Sequence, residues 1–108
     1  MKSKLHLGKT PTLQEIQKYE HEMELERGFD GQTVLEKCLL LGEEVGELFK
    51  SVRKNSGVKI DKNSNFKDVS EELSDILIYI CSIANKYNID LEKAFRSKEE
   101  KNKKRKWD

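Results

Sequence analysis

Proline is almost missing from this chain: Pro11 stands alone among 108 residues. Nothing beyond it therefore imposes a proline break on a helix. Cysteine is nearly as scarce. Cys38 and Cys81 lie in separate apolar stretches, which argues against a disulfide framework and suits two small buried hydrophobes in a reducing compartment. No long hydrophobic run is present; the longest, 76–84, is too short to span a bilayer. The early lysines are not followed by an apolar segment, so no signal peptide is expected and a soluble cytoplasmic protein is. Histidine is confined to His6 and His21. Strand-like alternation and internal repeats are both lacking.

Charge is what the chain has in abundance: 38% of residues are charged and only 35% hydrophobic. That balance suits one all-α domain over 1–108, with much wetted surface or with helices that finish burying themselves against partner subunits. The net charge of +1 hides an asymmetry, because 96–106 carries seven basic residues against two acidic ones while acids crowd the middle.

Four helices are expected. Residues 1–10 read as a loose arm. Thr12 with Glu15 forms a capping box opening a first helix over about 13–27, with Gly28 past its end. Thr33 with Glu36 opens a second, to about residue 54. The polar stretch 54–65 is a loop, either a lid or a plain connection. A third helix covers about 66–87, and Asp90 caps a fourth reaching roughly 104, with 105–108 as tail. In the third, Val69, Leu73, Ile76, Leu77, Ile80, Ala84 and Tyr87 form the expected inward stripe. Ile78, Cys81 and Ile83 lie outside it, so its second half is apolar nearly all round. Covering such a helix points to homo-oligomerisation.

Two clusters carry the chemistry: Glu43-Glu44-Val45-Gly46-Glu47 and Glu71-Glu72-Leu73-Ser74-Asp75. Positions i, i+1 and i+4 fall within an arc of roughly 100° on a helix, so each cluster aims its carboxylates one way. Two unit charges ~4 Å apart repel by about 4 kcal/mol at an effective dielectric of ~20, so facing clusters need cations. A solvated acidic face is the bland alternative. Against it, Leu39 and Leu40 share the glutamates' side, Gly42 and Gly46 leave room for a close approach, and no lysine or arginine sits four residues after Glu43 or Glu44. No histidine is near, which excludes a di-iron site of the Glu-x-x-His type. All-oxygen ligation suits magnesium, with manganese as a substitute, and magnesium favours a phosphate-bearing substrate. Lys98, Lys101, Asn102 and Arg105 share one face of the fourth helix as complementary charge, unless they are a frayed basic tail.

In these motifs the chain resembles the MazG-like, all-α nucleoside triphosphate pyrophosphohydrolases, and it is also similar to dCTP pyrophosphatases. The pattern Glu-Glu-x-x-Glu then Glu-x-x-Asp appears as Glu43-Glu44-Val45-Gly46-Glu47 and, after twenty-four residues, Glu72-Leu73-Ser74-Asp75. LLLGEEVGELFK at 39–50 and the segment 69–107, with its Lys-x-x-x-Asn-x-x-Arg-x-Trp tail, extend the likeness over about 33–107. The resemblance implies a four-helix bundle-like fold completed as a dimer or tetramer. It implies cleavage between the α and β phosphates of a nucleoside triphosphate, in nucleotide-pool cleaning. Glu44, Glu47, Glu72 and Asp75 would ligate magnesium; Glu43 would ligate or orient the attacking water, with Glu47 the other catalytic acid. Lys98, Asn102 and Arg105 would grip phosphates, Lys101 in an alternative alignment, and Tyr79 would line the site. Glu71 falls outside the motif and reads as a surface acid. The base pocket would draw on the first helix, the connector and a neighbouring subunit, with Tyr19, Phe29 and Trp107 as aromatic candidates.

The competing reading is a non-catalytic helical oligomer binding nucleic acid or an acidic partner through the basic helix. Without a recognition motif that attraction is salt-sensitive and non-specific, so no specific nucleic-acid partner is expected. A regulatory relative that lost activity is a third reading, opposed by the intact acidic set.

Overall fold

The computed structural model describes residues 2–57 and 67–107, with side chains from 69 onward in the second segment. Four helices follow one another: α1 (Leu13–Arg27), α2 (Val34–Asn55), α3 (Lys67–Lys86) and α4 (Leu91–Lys103). No strand occurs among the described residues. The fold is all-α, as the sequence implies. Most of the 54–65 loop, with its lid reading, lies outside the described residues, as does Phe66.

The helix starts follow side-chain chemistry. Thr12 Oγ1 accepts from the Glu15 amide at 3.1 Å, and the Glu15 carboxylate accepts from the Thr12 amide at 3.1 Å. Thr33 and Glu36 repeat the exchange at 3.1 and 3.3 Å. Asp90 Oδ1 accepts from the Lys93 amide. Each cap satisfies amide donors that the first helical turn leaves without partners. Gly28 closes α1 at φ 76°, a left-handed conformation that glycine reaches without a Cβ penalty. Replacing Thr33 by alanine is expected to lower stability by about 1 kcal/mol, read as a lower urea midpoint at unchanged slope.

The principal packing is α2 against α3; α1 lies on α3, and α4 rests on α1. What this packing buries departs from the expected stripe. Cys81, Ser82 and Ala84 are the buried residues of α3, while Leu73, Leu77, Ile80 and Tyr87 stay exposed. The reason is that α1 meets α3 with polar groups: Gln17, Glu20 and Glu24 are its buried residues. Ala84 of the stripe is buried, Val69 and Ile76 are half-buried, and the rest of the stripe is left facing away from the chain's own centre. On α2, Leu35, Leu39 and Phe49 are each at least 65% exposed. Cys38, expected to be buried, is exposed, whereas Cys81 is buried as expected. Among the described residues, Gly42 and Gly46 have nothing within 4 Å of where a Cβ would stand, so no described backbone uses the room they leave. Among the described residues no helix is long and apolar enough to cross a membrane.

Candidate metal centre and adjoining cleft

Packing α2 on α3 brings Glu44, Glu72 and Asp75 together. Each offers a carboxylate oxygen, and the three atoms lie within 4.8 Å of one another. Glu72 and Asp75 are three apart on α3 and share a face by helical periodicity. All three are half-buried. Among the described residues Glu72 Oε2 is buried without a hydrogen-bond partner, a costly arrangement for an acceptor unless something positive completes it. The Glu72 carboxyl is pushed up to about 7, first by its contact with the Glu44 carboxyl, then by burial and the charges of Glu44, Asp75 and Glu47. Burial, then the charges of Glu44, Asp75 and Glu43, raises the Tyr79 hydroxyl as well. Three oxygens, mutual repulsion and an orphaned buried acceptor form a donor set that fits a hard divalent cation.

Other residues singled out from sequence fall at varying distances from this cluster. Glu47 is exposed and outside the three-oxygen group, yet near enough for its charge to act on Glu72. Glu43 and Glu71 are exposed. Lys98, Lys101 and Arg105 are exposed on or just beyond α4, which packs on α1, and Asn102 is half-buried. Arg105 stacks over the Trp107 ring at 4.5 Å, and Trp107 Nε1 donates to the Asn102 carbonyl. The basic set thus sits on or just beyond the helix that packs on α1, while the clustered acids sit on α2 and α3.

Beside the carboxylates runs a cleft of about 320 Å³, with Glu44 and Asp75 in its wall. Tyr79 lines it, as does Phe29 from the α1–α2 connector; Tyr19 and Trp107 do not. A larger depression of about 660 Å³ near Gln14, His21 and Asp90 contains none of the clustered acids. Chemistry favours the smaller one.

The cleft reaches a polar centre that sequence reasoning missed. Lys37, 1% exposed, donates from Nζ to Glu24 Oε1 at 2.7 Å, and Ser82 Oγ donates to the same oxygen. Asn85 Nδ2 donates to Glu20 Oε2 at 3.0 Å, and Gln17 Nε2 donates to Asn85 Oδ1 at 2.8 Å. Gln17 Nε2 also reaches the Ile89 carbonyl at 2.6 Å, while Gln17 Oε1 accepts from the Leu91 amide at 3.0 Å. The chain of bonds thus links α1, α2, α3 and the start of α4. The spacing of Gln17, Glu20 and Glu24 by three and four was the available signal: a helical stripe, but a polar one.

Burial, the hydrogen bond to Glu24 and its charge push the Glu20 carboxyl up to about 8. Burial also opposes ionisation of Glu24, but hydrogen bonds from Glu20, Lys37 and Ser82 outweigh it and hold Glu24 below the ordinary value. Glu20 thus keeps the pair's proton. A folded-state value above the ordinary 4.5 means that the contribution of Glu20 to stability is full below about 4.5 and is lost as pH rises to about 8. Melting temperature is therefore expected to decline across that window, and Glu20→Gln should flatten the decline; an unchanged slope in the variant would assign it elsewhere.

Compared with family models, the chain matches the MazG nucleotide pyrophosphohydrolase domain over residues 31–107. No curated protein matches it.

Proposed function

Since the chain belongs to the MazG nucleotide pyrophosphohydrolase domain family, we propose that it hydrolyses nucleoside or deoxynucleoside triphosphates between the α and β phosphates, with magnesium, giving monophosphate and pyrophosphate. The observation that carries the metal part of this reading is the convergence of Glu44, Glu72 and Asp75 within 4.8 Å, with Glu72 Oε2 buried and unpartnered.

Glu44, Glu72 and Asp75 would hold the cation, and Glu47 would join them as a fourth carboxylate from one turn further along α2. A bound magnesium supplies Lewis-acid polarisation of the phosphate and a water of lowered pKa. Glu43, which is exposed, would either ligate the cation or orient the attacking water. Lys98, Asn102 and Arg105, with Lys101 as an alternative, would grip the phosphates and balance charge growing on the pyrophosphate leaving group. Tyr79 and Phe29 wall the cleft in which a base would lie. No covalent nucleophile is required: burial, then the charge of Glu20, raises the Cys81 thiol to about 11, leaving it unreactive.

Homo-oligomerisation belongs to the same reading. Leu35, Leu39, Phe49 and Leu73 are more than half exposed in the single chain, an apolar face of the kind that copies of a chain cover for one another. Cleaning of the nucleotide pool in the cytoplasm is the physiological setting that suits the reaction. The test is incubation with a panel of ribo- and deoxynucleoside triphosphates, with and without magnesium, followed by product identification. Monophosphate plus pyrophosphate only with metal is expected; diphosphate plus orthophosphate would overturn α–β cleavage.

A further inference from the structure

The inward side of α1 can be followed past its buried residues. Gln17 donates to Asn85 and to the Ile89 carbonyl, Asn85 donates to Glu20, and Ser82 donates to Glu24. As α1 advances its partners step back along α3, so the two helices run antiparallel. Three residues after Glu24, on the same side of α1, comes Arg27. The register sets it beside Ile78 and Tyr79, and all three line the cleft that Glu44 and Asp75 wall. Tyr79 stands about one turn, ~5.4 Å, from Asp75 along α3.

The base of Arg27 is anchored and its head is not. The Gly28 amide donates to the Glu24 carbonyl, and the Phe29 amide donates to the same oxygen at 2.9 Å. The Glu24 carboxylate is in turn held by Lys37 and Ser82. Arg27 itself is exposed, and among the described residues nothing accepts a hydrogen bond or pairs with its guanidinium.

Charge gives that head a task. Glu20, Glu24, Glu44 and Asp75 line the cleft as acids, and Arg27 is the one cationic residue among its described lining. A triphosphate brings several negative charges, of which a divalent cation offsets only part. The basic residues of α4 stand elsewhere in the single chain. The start of α4 is tied to α1 through Gln14 and Gln17, and thirteen residues of helix, ~20 Å, separate Gln14 from Arg27.

Resting on the reading of the chain as a nucleotide pyrophosphohydrolase, we propose that Arg27 is a phosphate-binding residue of the cleft, gripping the pyrophosphate moiety of the substrate. Its planar fork meets two phosphate oxygens at once, and its charge faces the negative charge that grows on the leaving group.

The experiment is calorimetric titration of the full chain with inorganic pyrophosphate in the presence of magnesium. Arg27→Ala and Arg27→Gln should each bind at least about tenfold weaker than the parent, the share of a charge-assisted contact, with helical circular dichroism unchanged. Lys18→Ala removes the same charge from an exposed position of α1 outside the cleft and should bind as the parent does. In the unmutated chain, magnesium with pyrophosphate should protect Arg27 from an arginine-specific dicarbonyl reagent, read by peptide mass. Parental binding in either Arg27 variant, an equal loss in Lys18→Ala, no binding of pyrophosphate by the parent, or modification of Arg27 as fast with pyrophosphate as without it would each overturn the proposal. If the Arg27 variants do not fold, the protection experiment decides alone. Triphosphate turnover at parental kcat/KM in Arg27→Ala would remove this inference and leave the reaction standing. Arg27-dependent pyrophosphate binding with no triphosphate turnover would do the reverse.

Discussion

Asp75→Asn should lose about three orders of magnitude in magnesium-dependent turnover while its helical circular dichroism remains. Asp75 belongs to the three-oxygen group with Glu44 and Glu72 and also lines the cleft, so it sits where metal and substrate would meet. An amide of the same shape keeps the packing and removes the charge. Losing several kcal/mol of electrostatic stabilisation at a metal centre corresponds to a factor near 10³ at ~1.4 kcal/mol per tenfold. The sign of the stability change is opposite. Without metal the carboxylates repel, as the raised Glu72 carboxyl records, so the variant should melt no lower than the parent in chelator and gain less on adding magnesium. A variant with parental turnover would show that the three acids are a surface cluster and nothing more.

The second large effect lies in stability. Lys37→Ala leaves the Glu24 carboxylate buried with its ammonium partner gone, and the pair is at 2.7 Å with side chains only 1% and 9% exposed. Breaking such a pair from one side costs about 3–5 kcal/mol, because an uncompensated buried charge remains. That is a large share of the ~5–15 kcal/mol by which a domain is ordinarily stable. Urea titration should therefore find Lys37→Ala largely unfolded at midpoints where the parent is native. Lys37→Met with Glu24→Gln should recover most of the loss, since neither side is then left charged. If the single and double variants were equally destabilised, packing of the lysine stem rather than its charge would be the cause.

How far the sequence could be read depends on the range of the interaction concerned. The helix starts at Thr12, Thr33 and Asp90 were legible because a cap is settled within four residues. Convergence of Glu44, Glu72 and Asp75 was legible too: helical periodicity fixes where each points, and only the pairing of α2 with α3 had to be supplied. The polar centre was not. Gln17, Glu20 and Glu24 look like residues of a wetted face, and only Lys37, Ser82 and Asn85, arriving from two other helices, give them partners. Periodicity finds a stripe but does not say which stripe a chain turns inward. Leu73, Leu77 and Ile80 were assigned to the centre for their hydrophobicity, yet α1 offers α3 hydrogen bonds rather than hydrocarbon. Phe29 was one of three aromatics for the cleft, and nothing local separated it from Tyr19 and Trp107.

A centre made of Lys37, Glu24, Ser82 and Asn85 also behaves as a ratchet. Leucines facing leucines can slide by a turn and find similar neighbours. Here a displacement of α1 along α3 by one turn, ~5.4 Å, carries Glu24 away from both Lys37 and Ser82 and strands two charges at once. Intermediate positions are no better, because a hydrogen bond at 2.7 Å tolerates little stretch. The helices therefore have one admissible alignment rather than a family of near-equal ones, and the distance between the polar centre and the clustered acids Glu44, Glu72 and Asp75 is fixed as on a ruler.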